Sequence, residues 1–91
     1  MFKFKAKKVL VTGASRGIGK AIAQGFAMNG AQVSLVYRKE QELADNLRNS
    51  LPGENHICVR SDVSVSEEAQ YAVSKTLHLL GSLDIVINLS L

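Results

Sequence analysis

The chain has 91 residues, of which 46% are hydrophobic and 21% charged, and this length accommodates one small domain. Its single cysteine excludes an internal disulfide, and the absence of any apolar run near the roughly 18–20 residues that cross a bilayer argues against a membrane span. The net charge of +3 is unevenly placed, since residues 1–20 contain six basic residues and no acidic one.

The apolar pattern alternates along the chain between short runs and helical stripes. The short runs predict four strands, at residues 8–12, 33–37, 56–60 and 83–88. The stripes between them predict three helices, marked by apolar residues at 18–26, 43–51 and 69–80. Each stripe ends in a helix-stopping pattern: Asn29-Gly30, Pro52-Gly53 and Gly81. Ser64 and Glu67 predict a capping box at the start of the third helix.

The element order β-α-β-α-β-α-β defines the fold class. Near-continuous apolar strands separated by helices are typical of a parallel sheet that is covered on both faces. Right-handed crossovers then give an open, doubly wound α/β arrangement of the Rossmann type. No linker or repeat interrupts the pattern, so we expect residues 1–91 to form a single domain.

Three glycines lie in the loop between the first strand and the first helix. Gly13 permits a sharp turn, Gly17 leaves room for a phosphate near the backbone, and Gly19 permits close packing of the helix on the strand. The free N–H groups at the start of such a helix attract anions. A P-loop reads Gly-x-x-x-x-Gly-Lys-Ser/Thr. The loop does not match this pattern, because alanine lies five residues before Gly19 and alanine follows Lys20.

The sequence Thr12-Gly13-Ala14-Ser15-Arg16-Gly17-Ile18-Gly19 resembles the cofactor fingerprint of the short-chain dehydrogenases/reductases. The resemblance extends over the whole chain. Asp62-Val63 is similar to the family's adenine-contacting Asp motif, and the segment up to Asn88 is similar to the strand that leads into the family's Asn-Asn-Ala-Gly motif. Among family members the chain looks most like the 3-oxoacyl-[acyl-carrier-protein] reductases of fatty acid synthesis and the mitochondrial carbonyl reductases.

Polar residues follow each predicted strand, and the carboxyl ends of parallel strands share the edge at which ligands bind. Together with the resemblance, this placement predicts a nucleotide-binding site. Its expected residues are Gly13, Ser15, Arg16, Gly17, Ile18, Gly19, Tyr37, Arg38, Asp62, Val63 and Asn88.

The end of the second strand predicts NADP rather than NAD as the cofactor. An acid that would hold the ribose of NAD is expected about 20 residues after the glycines, and Tyr37 occupies that place. We expect no carboxylate there to repel a 2′-phosphate, whereas Arg16 and Arg38 can clamp one through paired hydrogen bonds. The resemblance implies the same preference, because both positions are basic in NADP-preferring members.

The resemblance implies that hydride transfer depends on a Tyr, a Lys and a Ser that lie beyond the fourth strand. The chain is therefore predicted to be truncated before its catalytic half, and after Asn88 it reads Leu89-Ser90-Leu91 instead of Asn-Ala-Gly. Tyr71 and Lys75 have the spacing of the family's catalytic pair, but they fall on the helix between the third and fourth strands. We interpret them as surface residues and predict no catalytic residue in the chain.

No metal site is predicted, because His56 and His78 have no acid or cysteine at ligand spacing. Cys58 lies in an apolar run and is expected to be a buried, inert thiol. The basic start of the chain fits a solvated strand edge better than a remnant of organelle targeting or a nucleic-acid face, so no nucleic-acid partner is expected. The compartment stays open between the cytoplasm and the mitochondrial matrix.

Three hypotheses follow from these patterns. The chain is an NADP-binding portion of a reductase that is inactive alone, a fragment of a complete reductase, or a non-catalytic module that associates with a full-length reductase subunit. The fourth strand is apolar and is expected to form an exposed edge, which recruits other strands. We therefore expect a homo-oligomer or a partner reductase subunit.

Overall fold

The structure is a computed structural model that describes residues 3–89. It contains four strands, β1 (Lys8–Thr12), β2 (Gln32–Tyr37), β3 (Ile57–Arg60) and β4 (Ile85–Ile87). Three helices connect them in order: α1 (Gly17–Met28), α2 (Gln41–Ser50) and α3 (Ser66–Leu80). The predicted alternation of strands and helices is confirmed. No helix of the described part is long and apolar enough to cross a membrane.

The four strands form one sheet in the order β3-β2-β1-β4, and every neighbouring pair is parallel. Because β1 lies between β2 and β4, the chain moves outward from β1 through β2 to β3 and then returns to the other side of β1. This reversal is the topological switch point of a doubly wound sheet. The predicted Rossmann-type α/β fold is confirmed.

Helices α1 and α2 cover one face of the sheet. Alternate residues of β1 and β2 point to this face, among them the fully buried Val9, Val11 and Leu35. Helix α1 contributes Ala23 and Ala27 to the same cluster. Small side chains on the helix let it lie close to the strands, which fixes the position of its first turn at the edge of the sheet.

Helix α3 alone covers the other face among the described residues. Leu10 of β1 and Val36 of β2 pack there against Ala72. The buried hydroxyls of Ser34 and Thr76 lie 2.8 Å apart, and Thr76 also donates to the carbonyl oxygen of Ala72. A hydrogen-bonded hydroxyl pair costs little to bury, and it fixes the register of α3 on β2.

Strand β4 is shorter than predicted, although the backbone N–H of Asp84, just before it, still donates to the carbonyl oxygen of Lys8. The backbone N–H of Lys8 donates to the carboxylate of Asp84 over 2.9 Å. Beyond the other end, the N–H of Leu89 donates to the hydroxyl of Thr12. As predicted, β4 is an apolar edge, and Val86 at its centre is 53% exposed on the α3 face. Ser90 and Leu91, in the predicted departure from the family pattern, lie outside the described residues.

His56 precedes β3 and has a structural role. Its Nδ1 accepts the backbone N–H of Val33 at 3.0 Å, and its Nε2 lies 2.7 Å from the carbonyl oxygen of Pro52. The second contact places the proton on Nε2, so the ring joins the turn after α2 to the start of β2. Both of its ring nitrogens thus have hydrogen-bond partners within the protein.

Candidate functional site

The carboxyl ends of β1, β2 and β3 meet at one edge of the sheet, where three loops surround a shallow crevice. The loop after β1 begins at Gly13, which has a φ of 62° and so occupies the left-handed region that favours glycine. Gly17, with a φ of 65°, opens α1, and no side chain caps the N-terminus of that helix. The helix therefore presents its first turn to this edge without a side-chain acceptor, which is the arrangement that binds anions.

Gly19 is the tightest point of the loop. A Cβ at this position would overlap the carbonyl oxygen of Gly13 and lie 2.8 Å from its carbonyl carbon and 3.0 Å from the Cα of Ala14. The sequence predicted that Gly19 lets the helix pack on the strand. The structure corrects this interpretation, because the close partner is the loop itself, which is folded back against the first turn of α1.

A cavity of about 300 Å³ lies between the ends of β2 and β3, and we call it the Asp62 cavity. Its wall contains five predicted site residues: Gly13, Tyr37, Arg38, Asp62 and Val63. Sequence reasoning missed Val36, Ser61 and Ser64, which complete the wall. Burial raises the pKa of the Tyr37 phenol, so this side chain stays neutral in the cavity wall.

Asp62 is held by the residue two positions after it. Its Oδ1 accepts the hydroxyl of Ser64 at 2.6 Å and the backbone N–H of Ser64 at 3.1 Å. These hydrogen bonds lower the pKa of the Asp62 carboxyl, and the Arg38 guanidinium lowers it further. Asp62 is therefore an oriented carboxylate at neutral pH.

The predicted capping box at the start of α3 is wrong. Helix α3 begins at Ser66 with no side-chain cap, and Ser64 bonds to Asp62 instead of pairing with Glu67. Glu68, one residue later, accepts the backbone N–H of Asp62 at 2.8 Å. The aspartate followed two residues later by serine is the signal of a local Asx turn, which competes with a capping box for the same hydroxyl.

A second cavity of about 230 Å³ adjoins the first, and we call it the Glu40 cavity. It shares Gly13, Tyr37 and Arg38 with the Asp62 cavity and adds Ser15, Arg16, Lys39 and Glu40. The Nη2 of Arg16 donates to the Oε1 of Glu40 over 3.0 Å. Tyr37 holds the place of the acid at the end of β2, as the sequence indicates, but the turn into α2 brings the carboxylate of Glu40, which sequence reasoning did not consider, to the loop after β1.

Asn88 lies on the other side of β1, at the switch point. Its Oδ1 accepts the hydroxyl of Thr12 at 2.9 Å, which joins the ends of β1 and β4. A small apolar cavity of about 100 Å³ lies beside this contact, between the sheet and α3, and Val63 and Val86 are in its wall. Val63 thus contacts both this cavity and the Asp62 cavity.

The structure brings most of the predicted site residues to one edge, in three adjoining groups. Gly17, Ile18 and Gly19, at the start of α1, line none of these cavities, and the side chain of Ile18 is 73% exposed. Tyr71 and Lys75 lie on the exposed side of α3, with the ammonium 5.7 Å from the ring centroid, and neither lines them. Within residues 3–89 no cluster of possible metal ligands exists.

Cys58 lies outside the candidate site, on the α1 and α2 face of the sheet. It is half-buried, and its thiol donates to the carbonyl oxygen of Ala44. Burial raises the pKa of this thiol to about 11, so it stays protonated at neutral pH. The expectation of an inert thiol is consistent with this surrounding, although the side chain is less buried than predicted.

The sequence model of the short chain dehydrogenase family matches residues 7–89. The chain belongs to this family. A glucose 1-dehydrogenase from Gluconobacter oxydans is 42% identical to this chain over 88 residues. The aligned region covers 93% of this chain and 33% of the glucose 1-dehydrogenase. The chain thus spans about a third of the length of the relatives that it matches.

Solved structures of the family superpose on the fold. A short chain dehydrogenase from Burkholderia cenocepacia in complex with NADP gives a TM-score of 0.88 at 35% identity, covering 92% of this chain and 35% of the other. A 3-ketoacyl-(acyl-carrier-protein) reductase from Brucella melitensis complexed with NADH superposes with a TM-score of 0.84 at 31% sequence identity. The superposition covers 92% of this chain and 34% of the reductase. The resemblance recognised in the sequence is confirmed at the level of family and fold.

Replacement of Gly19 by Ala tests the geometry of the loop. The added methyl group cannot fit against the Gly13 carbonyl, so we expect a loss of about 1–3 kcal/mol in the free energy of unfolding, measured by urea denaturation. The matched control is Gly25→Ala in the same helix, where a Cβ meets nothing within 4 Å. This change is expected to stabilise the chain by about 0.5–1 kcal/mol. Equal effects of the two substitutions would contradict the close approach.

Proposed function

We propose that this chain is the NADP-binding portion of a short-chain dehydrogenase or reductase, and that its residues form one nucleotide-binding unit. The observation that carries the proposal is the pair of adjoining cavities, which share Gly13, Tyr37 and Arg38 in their walls. They lie at the carboxyl edge of a parallel sheet, beside a helix N-terminus that no side chain caps. This edge combines room for a base, an anion-binding helix end and two guanidinium groups.

The residues present fit the adenosine and phosphate parts of a dinucleotide phosphate. The first turn of α1 suits the pyrophosphate, because Gly17 leaves open space in front of it. In the Asp62 cavity, the ionised carboxylate of Asp62 suits the exocyclic amino group of adenine, which donates hydrogen bonds. Asn88 and Thr12, which join the ends of β1 and β4, would contribute to holding the nicotinamide part. The bound nucleotide would supply a hydride for reduction of a carbonyl carbon.

The preference for NADP rests on charge. The Glu40 cavity contains the cationic side chains of Arg16, Arg38 and Lys39 and one carboxylate, that of Glu40. Guanidinium groups pair with phosphate through two charge-assisted hydrogen bonds, so the excess of cations favours a 2′-phosphate. The neutral phenol of Tyr37 supplies no charge that would hold a ribose diol instead.

We further propose that the residues described here do not catalyse carbonyl reduction by themselves. General acid catalysis needs a donor within hydrogen-bond reach of the reacting oxygen. The pair with the family's spacing, Tyr71 and Lys75, lies on α3 and away from the three cavities. The similarity to a 3-ketoacyl-(acyl-carrier-protein) reductase supports a 3-oxoacyl or related carbonyl substrate for a complete enzyme, and with it a role in fatty acid synthesis.

A second candidate function is a non-catalytic module that associates with a full-length reductase subunit or with a second copy of the chain. The exposed edge of β4 favours it, since Val86 is half-exposed and α3 leaves that part of the sheet thinly covered. Unpaired strand edges of this kind recruit further strands. Both functions use the same nucleotide-binding edge.

Substitution of the two arginines tests the proposed function. We expect the chain to bind NADPH more tightly than NADH in calorimetric titrations. Arg16→Ala and Arg38→Ala should each weaken NADPH binding by about 1–3 kcal/mol and leave NADH binding nearly unchanged, because only NADPH carries the 2′-phosphate. Arg48→Ala is the matched control, since Arg48 lies on α2 outside both cavities. Equal affinity of the wild-type chain for the two nucleotides would refute the assignment.

The absence of catalysis is tested by following NADPH oxidation with acetoacetyl and quinone substrates. We expect no turnover above the background rate, because Tyr71 and Lys75, the pair with the spacing of the family's catalytic residues, line none of the cavities. Tyr71→Phe is the informative variant. Turnover by the wild-type chain that disappears in Tyr71→Phe would show that α3 carries the catalytic pair after all.

A further inference from the structure

The ion pair between Arg16 and Glu40 connects two segments that are 24 residues apart in the sequence. Arg16 precedes α1 in the loop after β1, and Glu40 precedes α2 in the turn after β2. Their contact closes one side of the Glu40 cavity, over a distance of 3.0 Å. The guanidinium proposed to receive a 2′-phosphate is therefore already bonded to an anion of the protein.

A carboxylate and a phosphate compete for the same donors. The guanidinium offers N–H groups in a planar fork, and an oxygen bonded to its Nη2 uses one of the donors with which it would grip a phosphate. The pair is also solvent-accessible, with side chains that are 72% and 40% exposed. Exposed pairs are weak, so a 2′-phosphate can displace Glu40 from Arg16.

Glu40 has no other side-chain function in the described structure. It occupies the N-cap position of α2 but makes no side-chain cap, and it supports the helix through its backbone carbonyl, which accepts the N–H of Ala44. Removal of the carboxylate charge therefore leaves the backbone contacts of the helix in place. Glu42, in the first turn of α2, provides a second carboxylate near the same helix end but outside the Glu40 cavity.

We infer that Glu40 is a specificity-determining residue, which holds Arg16 in the nucleotide-free protein and weakens its preference for 2′-phosphorylated nucleotides. The inference rests on the proposed function, since it concerns the same cavity. A nucleotide with a 2′-phosphate must replace Glu40 on Arg16 and bring its own negative charge near the carboxylate. A nucleotide with a free 2′-hydroxyl leaves the ion pair intact. Loss of the Glu40 charge therefore raises the affinity for nucleotides with a 2′-phosphate and leaves the affinity for nucleotides with a free 2′-hydroxyl unchanged.

The test compares Glu40→Gln with Glu42→Gln in the full 91-residue chain. The glutamine keeps the size and the acceptor oxygen of the side chain and removes its charge, and the Glu42 variant removes the same charge from the same helix end. Calorimetric titration with 2′,5′-ADP and with 5′-ADP, at one fixed salt concentration, separates the 2′-phosphate from the rest of the adenosine. We expect Glu40→Gln to bind 2′,5′-ADP about 1.5- to 5-fold more tightly than Glu42→Gln does, with 5′-ADP affinities equal.

Each outcome decides between the inference and the function on which it rests. If the wild-type chain binds 2′,5′-ADP and loses this binding in Arg16→Ala, the proposed site holds. If Glu40→Gln then behaves like Glu42→Gln, or tightens both nucleotides equally, the inference is refuted while the proposed function stands. If the wild-type chain binds neither nucleotide, the proposed function fails and the inference falls with it.

Discussion

The candidate site depends on one steric constraint, the contact between Gly19 and the carbonyl group of Gly13. No side chain fits between them, so the loop after β1 folds back on the first turn of α1. This fold places the start of the helix at the carboxyl edge of the sheet, directly after β1. The small side chains of Ala23 and Ala27 then hold the helix against the strands. The anion-binding geometry thus follows from the absence of side chains rather than from any charged group.

Charge enters through the loops that the sheet brings to this edge. Asp62 is oriented and kept ionised by Ser64, and the Arg38 guanidinium beside it acts in the same direction. On the other side of Arg38, the guanidinium of Arg16 is shared with Glu40. Acidic and basic groups thus lie together around the crevice, and in the proposed site a phosphorylated nucleotide would exchange partners with the Arg16–Glu40 ion pair. On this proposal, the preference for NADP over NAD depends on the difference in free energy between two ion pairs of Arg16, one with Glu40 and one with the 2′-phosphate.

The fold was predictable from the sequence because the apolar pattern and the glycine spacing act locally. The switch from β-branched runs to helical stripes predicted the four strands and the three helices, and the polar residues after the strands predicted which side chains meet at the carboxyl edge. What failed depends on contacts between distant segments. The ion pair of Arg16 with Glu40 joins two separate turns, and the side chains of Asp84 and Thr12 form hydrogen bonds across the ends of β1 and β4. Ser64 was misassigned because two local motifs compete for its hydroxyl.

The most direct test of the central claim is a map of backbone amide shifts in the ¹⁵N-labelled chain during titration with NADP. The account predicts that the largest shifts occur at Gly13, Gly17, Gly19, Arg38 and Asp62, since the first turn of α1 and the two adjoining cavities receive the nucleotide. Shifts at α2 beyond its first turn should be small. Shifts confined to α3 and the edge of β4, or no saturable shift at the glycine loop, would contradict the account.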